Sequence, residues 1–141
     1  MFLCSLANAL GDIRDSYSPQ TLHGVPADLN LAPFVGASLQ RIDLGKWIIH
    51  FQFEMQPAGV IGVEGQWELY DARGTVIDRQ QEPAKRESYK LHHLLLHDVV
   101  SYHVHAPEWF SLTFDNGMVL KIYDASRQYE SFSIQPGNVY I

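Results

Sequence analysis

One cysteine, Cys4, stands in 141 residues. That excludes an internal disulfide and every zinc pattern built from several cysteines. Charge is also scarce: Asp, Glu, Lys and Arg make up 18% of the chain, against roughly 25% in ordinary soluble domains. The cations are few and scattered, with 10 Lys and Arg against 16 Asp and Glu and a net charge of −6. The densest basic pair, Lys85-Arg86, is flanked by Glu82 and Glu87. Binding to phosphates requires clustered cations, so nucleic acid is not an expected partner. No apolar run approaches the roughly 18–20 residues that span a bilayer, so no membrane is expected either. Met1 to Leu10 is apolar, but no Lys or Arg precedes the run, and Ser5 and Asn8 interrupt it. This reads as a short docking helix or a loose terminus rather than a signal peptide. With a single thiol, the expected setting is the reducing cytoplasm.

Nucleophile and phosphate motifs are missing too. There is no Gly-x-Ser-x-Gly elbow, and no His follows Cys4 at a recognisable distance. No glycine-rich phosphate loop occurs. Gly59, Gly62 and Gly65 fall within a strand pattern, where a bulge or a close backbone approach accounts for them. No cofactor is expected.

What is present is a chain able to build a core, 46% hydrophobic and of single-domain length. Residues 1–27 read as an N-terminal short helix and irregular connector, 33–80 as a first β half, and 83–141 as a helix plus a second β half. In 47–54, Trp47, Ile49, Phe51 and Phe53 share one face; in 60–70, Ile61, Val63, Trp67 and Leu69 oppose Glu64, Gln66 and Glu68. Both have the period of two that marks strands with one buried side. Asp71 to Gly74 offers a turn into Thr75-Val76-Ile77. Pro83 to His97 is expected to be helical, with Pro83 in the first turn and Leu91, Leu94 and Leu95 at helical spacing. Strands then resume around Val100–Val104, Phe110–Phe114, Met118–Ile122 and Tyr129–Ile134, and Asp115-Asn116-Gly117 is a hairpin signal. A shift of 61 residues aligns Phe34 with Leu95, Leu39 with Val100, Ile49 with Phe110, Phe51 with Leu112 and Phe53 with Phe114, with Gly36 against His97 as a mismatch. An internal repeat accounts for this, and chance alignment of two amphipathic segments is the alternative. The expected class is α+β, predominantly antiparallel, with two similar meanders packed on the 83–97 helix.

Two groups of side chains are candidates for function. Five histidines, His92, His93, His97, His103 and His105, crowd into a short stretch. On a helix His93 and His97 share a face, about 6 Å apart, and on a strand His103 and His105 do. Two such pairs make a possible zinc set, with Asp98 nearby. Against it, no glutamate follows His93, and histidines at a helix end or along an exposed strand are ordinary solvated groups. Glu64 and Glu68, four apart on one strand face, stand roughly 13 Å apart, too far for the about 5–10 Å of paired glycosidase carboxylates. Trp109 and Tyr123 fall opposite Phe110 and Ile122 in their strands. If outward, they suit partner binding, where Trp and Tyr are enriched.

The stretch from Trp109 to Asp124, with Leu112, Phe114, Gly117 and Leu120, followed by Tyr129-Glu130-Ser131-Phe132, resembles a group of small bacterial proteins ending in a Leu-x-Phe-x-x-Gly-x-x-Leu strand pattern and a Tyr-Glu-Ser-Trp/Phe strand. Some of that group resemble immunity proteins of toxin systems. The resemblance implies a bacterial cytoplasmic protein and brings no catalytic residues. The expected function is a non-enzymatic protein-interaction module, immunity-like, binding a partner protein or itself through Glu64, Glu68, Trp109 and Tyr123. The alternative is a small-ligand or metal-binding protein, hydrolytic in one form, using the His92–His105 cluster.

Overall fold

Alternation of buried apolar side chains with more exposed ones builds the strands at Ile49–Glu54, Trp67–Tyr70, Val119–Tyr123 and Phe132–Gln135. The computed structural model describes residues 24–124, 132–136 and 139–140. The expected N-terminal helix, Cys4 and the start of the Tyr129–Ile134 strand lie outside these residues. The strands are β1 (Ser38–Leu44), β2 (Ile49–Glu54), β3 (Gly59–Val63), β4 (Trp67–Tyr70), β5 (Val76–Arg79), β6 (Val99–His105), β7 (Trp109–Phe114), β8 (Val119–Tyr123), β9 (Phe132–Gln135) and β10 (Val139–Tyr140). They form two antiparallel sheets, ordered β1-β2-β3-β9-β10 and β5-β4-β8-β7-β6. The inward residues of both make one core: Phe51, Phe53, Ile61 and Ile134 from the first sheet, and Leu69, Phe110, Leu112 and Leu120 from the second. Phe110 and Phe132 meet edge-on across it, with ring centroids 4.9 Å apart.

The fold is therefore nearly all β, which corrects the α+β expectation. Residues 83–97 do not form a helix; they hold 3₁₀ turns at Pro83–Lys85 and Leu91–Leu94. Leu91 and Leu94 are buried and Leu96 is exposed, so the leucines supply one turn of apolar contact. Upstream, Glu82 to Ser88 has no apolar stripe to repay helix nucleation. The 60–70 alternation is likewise two strands. β3 ends at Val63, β4 begins at Trp67, and the two belong to different sheets. Trp47, expected inside, lies in the β1–β2 turn and is 70% exposed.

The two halves repeat each other strand for strand. β1-β2-β3 is matched by β6-β7-β8, and in each half the following hairpin, β4-β5 or β9-β10, crosses to the other half's sheet. Phe51 pairs with Ile61 as Leu112 pairs with Leu120, which keeps the offset of 61 for β2 and β7. Ahead of those strands the offset is 60, because Phe34 and Leu94 close equivalent turns. The halves meet where the β1 and β6 edges cross. There Gly36 N–H donates to Val99 O and Leu96 N–H to Leu39 O, both at 2.7 Å, and Leu39 N–H donates to His97 O as Val99 N–H does to Ala37 O. These matched bonds define a pseudo-twofold axis.

At this crossing the chain needs positive φ. Gly36 takes φ 91° without strain, whereas its counterpart Leu96 takes φ 68° and is 72% exposed. A leucine in that region costs roughly 1–2 kcal/mol, and glycine returns part of it as chain entropy. Leu96→Gly is expected to raise folding stability by about 0.5–1 kcal/mol, read from urea denaturation. A loss of stability would show that the Leu96 side chain contributes packing that outweighs its strain.

Candidate functional site

The outward face of the β5-β4-β8-β7-β6 sheet gathers a group of aromatic and charged side chains in mutual contact. Strand register places them. Leu69 points inward from β4, so Glu68 and Tyr70 point out; Leu120 and Ile122 do the same on β8 and leave Lys121 and Tyr123 outside. Lys121 lies opposite both Glu68 and Ser111, and Trp109 opposite both Tyr123 and His105.

These neighbours interlock. Glu68 Oε1 accepts hydrogen bonds from the Tyr70 hydroxyl at 2.6 Å and the Tyr123 hydroxyl at 2.7 Å. Lys121 Nζ stands 4.0 Å from the Trp109 ring centroid, 5.2 Å from that of Tyr123 and 5.8 Å from that of Tyr70, within reach of the attraction between a cation and an aromatic face. His105 stacks on Trp109 at 4.9 Å and 19°, and His103 leans on the same ring at 5.4 Å. Glu108 Oε1 lies 3.2 Å from His105 Nε2. Burial pulls the Glu68 carboxyl upward, but the two hydroxyl bonds and the Arg79 and Lys121 charges outweigh it, leaving its pKa below the ordinary value. Burial and the bond to Glu68 push the Tyr123 hydroxyl well above the usual phenol range. The bond to Glu68, then burial, raises Tyr70 as well. At neutral pH the carboxylate is thus held ionised and both phenols protonated. None of the three sits near the pH where proton transfer is efficient.

The repeat supplies an internal comparison. In the other sheet the matching positions hold Ile48 for Trp109, Gly62 for Lys121, Glu64 for Tyr123 and Ser133 for Glu68, as the paired registers give. The same scaffold stands there without this cluster, so the fold does not require it.

Of the residues singled out in the sequence, Glu68, Trp109, Tyr123, His103 and His105 come together on this face. Glu64 does not. It follows β3 and lines a cleft beside Trp47 and Arg86. His93 lies in the Leu91–Leu94 turn, against His92 with ring centroids 4.2 Å apart. His97 Nδ1 is 2.7 Å from Asp115 Oδ1, and that contact holds the Asp115 carboxyl below its ordinary pKa. His93 and His97 therefore do not share a helix face. Among the described residues no group of three or more His, Cys, Asp or Glu is placed to hold a metal ion. Lys121 and Tyr70 were legible by alternation with Tyr123 and Glu68, but the pairing of β4 with β8 was not. Among the described residues no helix is long and apolar enough to cross a membrane.

No family model, no curated protein and no solved structure matches the chain.

Proposed function

We propose that this chain is a non-enzymatic interaction module that docks a partner protein through the Trp109–Lys121–Tyr123 face, in the bacterial cytoplasm. The supporting observation is the Lys121 ammonium set among three aromatic rings, with Glu68 fixing two of them, on one sheet and not on its structural twin. Prefixed aromatic side chains lose little entropy on binding, and Trp and Tyr dominate interface energetics. Displacement of the Glu68 and tyrosine pKa values away from neutrality favours recognition over proton-transfer chemistry. Some members of the group that the C-terminal stretch resembles are immunity-like, and on that reading the partner is a toxin.

The test is co-expression with the product of the adjacent gene and affinity measurement on the purified pair. Trp109→Ala and Lys121→Ala are expected to weaken binding by about 30-fold or more, the size of a hot-spot loss near 2 kcal/mol. Arg41→Ala, on the opposite sheet, is expected to leave it unchanged. A complex indifferent to both face variants, or no complex at all, overturns the reading.

A further inference from the structure

We infer that this chain swaps halves with a second copy of itself, forming an intertwined dimer in which Leu96 is the hinge. The swap needs no new core. Both ladders that join the halves, β3 with β9 and β4 with β8, pair a strand before Leu96 with one after it. The bonds at the crossing do the same: Gly36 N–H to Val99 O, Leu39 N–H to His97 O, Val99 N–H to Ala37 O and Asn116 Nδ2 to His93 O. Each of these contacts forms as well between two chains as within one, so each lobe of the dimer reproduces the monomer.

The position of the hinge follows from what holds the chain on either side of it. Upstream, the Asp78 carboxylate accepts from Arg86 Nη2 and from the Lys90 N–H, and the Leu96 N–H donates to Leu39 O, all within the first half. Downstream, His97 Nδ1 lies 2.7 Å from Asp115 Oδ1 and the Asp115 N–H donates to Asp98 O, both within the second half. Between these anchors the chain makes one turn. Leu95 is already extended, with φ −62° and ψ 136°, and Leu96 is the sole non-glycine with positive φ among the described residues. Its counterpart Gly36 meets the same need at the start of the first half, where no junction has to open. Strain therefore sits at the turn that joins the halves, and a short strained junction is what favours swapping. Straightening Leu96 relieves the strain and directs the second half away from the first.

The surface that the two lobes bury against each other is also fixed by the hinge. One extended residue bridges only about 7 Å between its neighbours, so the crossings of the two lobes must lie face to face. Three of the five exposed large hydrophobic side chains among the described residues stand there: Val35, Leu96 and Val100. Val35 precedes Gly36 and Val100 follows Val99, the two residues bonded at the crossing. A second copy brings the same apolar group to the same place, the self-complementary contact of a twofold dimer.

The experiment unfolds the full chain in urea, refolds it at about 10 μM and at about 1 mM, and sizes the products by light scattering. Dimer is expected from the concentrated sample, and it should persist after dilution, because return to monomer requires opening the shared core. Leu96→Gly should lower the dimerisation constant by about tenfold, since glycine removes the strain from both closed turns. Leu96→Ile should raise it, because a β-branched residue tolerates positive φ less well than leucine. Refolding tagged with untagged chains should give the mixed dimer, whereas mixing the two folded monomers at the same concentration should not. Monomer at both concentrations, with Leu96→Ile included, overturns the inference, as does a dimer indifferent to both substitutions. A dimer that forms on concentrating folded monomer and dissociates at once on dilution also overturns it, since contact through Val35 and Val100 alone would then suffice.

Discussion

Arg86→Ala is expected to destabilise the protein by about 3–5 kcal/mol, the cost of leaving a buried charge without its partner. Side-chain exposure is 6% for Arg86 and 4% for Asp78, so little water reaches either group to replace the lost bonds. Asp78 would keep the Arg79 and Lys90 backbone N–H donors at 2.8 Å, which argues for the lower end of that range. Arg86→Lys is expected to recover little, because an ammonium has neither the two spaced nitrogens that reach the Asp78 carboxylate through Nη2 and Arg79 O through Nη1 nor the flat surface that lies on Tyr89. Urea denaturation provides the measurement. A change below about 1 kcal/mol in Arg86→Ala would mean that the pair does not anchor the chain after β5. The double variant Asp78→Asn/Arg86→Met should lose less than Arg86→Ala alone, since it removes both charges together.

Phe110→Ala should be equally severe, about 3–5 kcal/mol, from lost burial plus the cavity left behind. Phe110 and Phe132 are both fully buried and belong to opposite sheets. Truncating one ring removes contact on both sides of the core. The edge-on ring pair adds about 0.5–1.5 kcal/mol beyond burial, so Phe132→Ala and the double variant should show coupling of that size in a mutant cycle. Additive losses would mean that the two rings pack independently.

Much of the local structure was legible before the fold was known. Period-two alternation marks β2, β7 and β8 because one side of each faces the shared core and the other faces solvent. The Asp115-Asn116-Gly117 turn was readable for a local reason, Gly117 at φ 85°. The failures were non-local. Leu91, Leu94 and Leu95 satisfy helical spacing and a 3₁₀ turn equally well, and tertiary packing decides between them. Glu64 and Glu68 fit one continuous alternation, yet the chain leaves one sheet and enters the other between them, which no periodicity records. The repeat was visible, but the equivalent pairs Leu44–Ile49 and Val104–Phe110 enclose four residues (45–48) in one half and five (105–109) in the other, so a gapless alignment that fits β2 to β7 misplaces β1 against β6 by one residue. The site lay partly in view for the same reasons. Trp109 and Tyr123 could be assigned to an outward face by alternation, whereas their contact with Glu68 depends on β4 lying beside β8.

The exchange of hairpins has a consequence for how the molecule comes apart. Because β4-β5 completes the sheet begun by β6-β7-β8, and β9-β10 the sheet begun by β1-β2-β3, neither half encloses a core by itself. The two repeats are interlocked like clasped hands. Loosening either grip exposes the same buried interior, so the Trp109–Lys121–Tyr123 face and the turn that carries Trp47 are expected to be lost together in one cooperative transition.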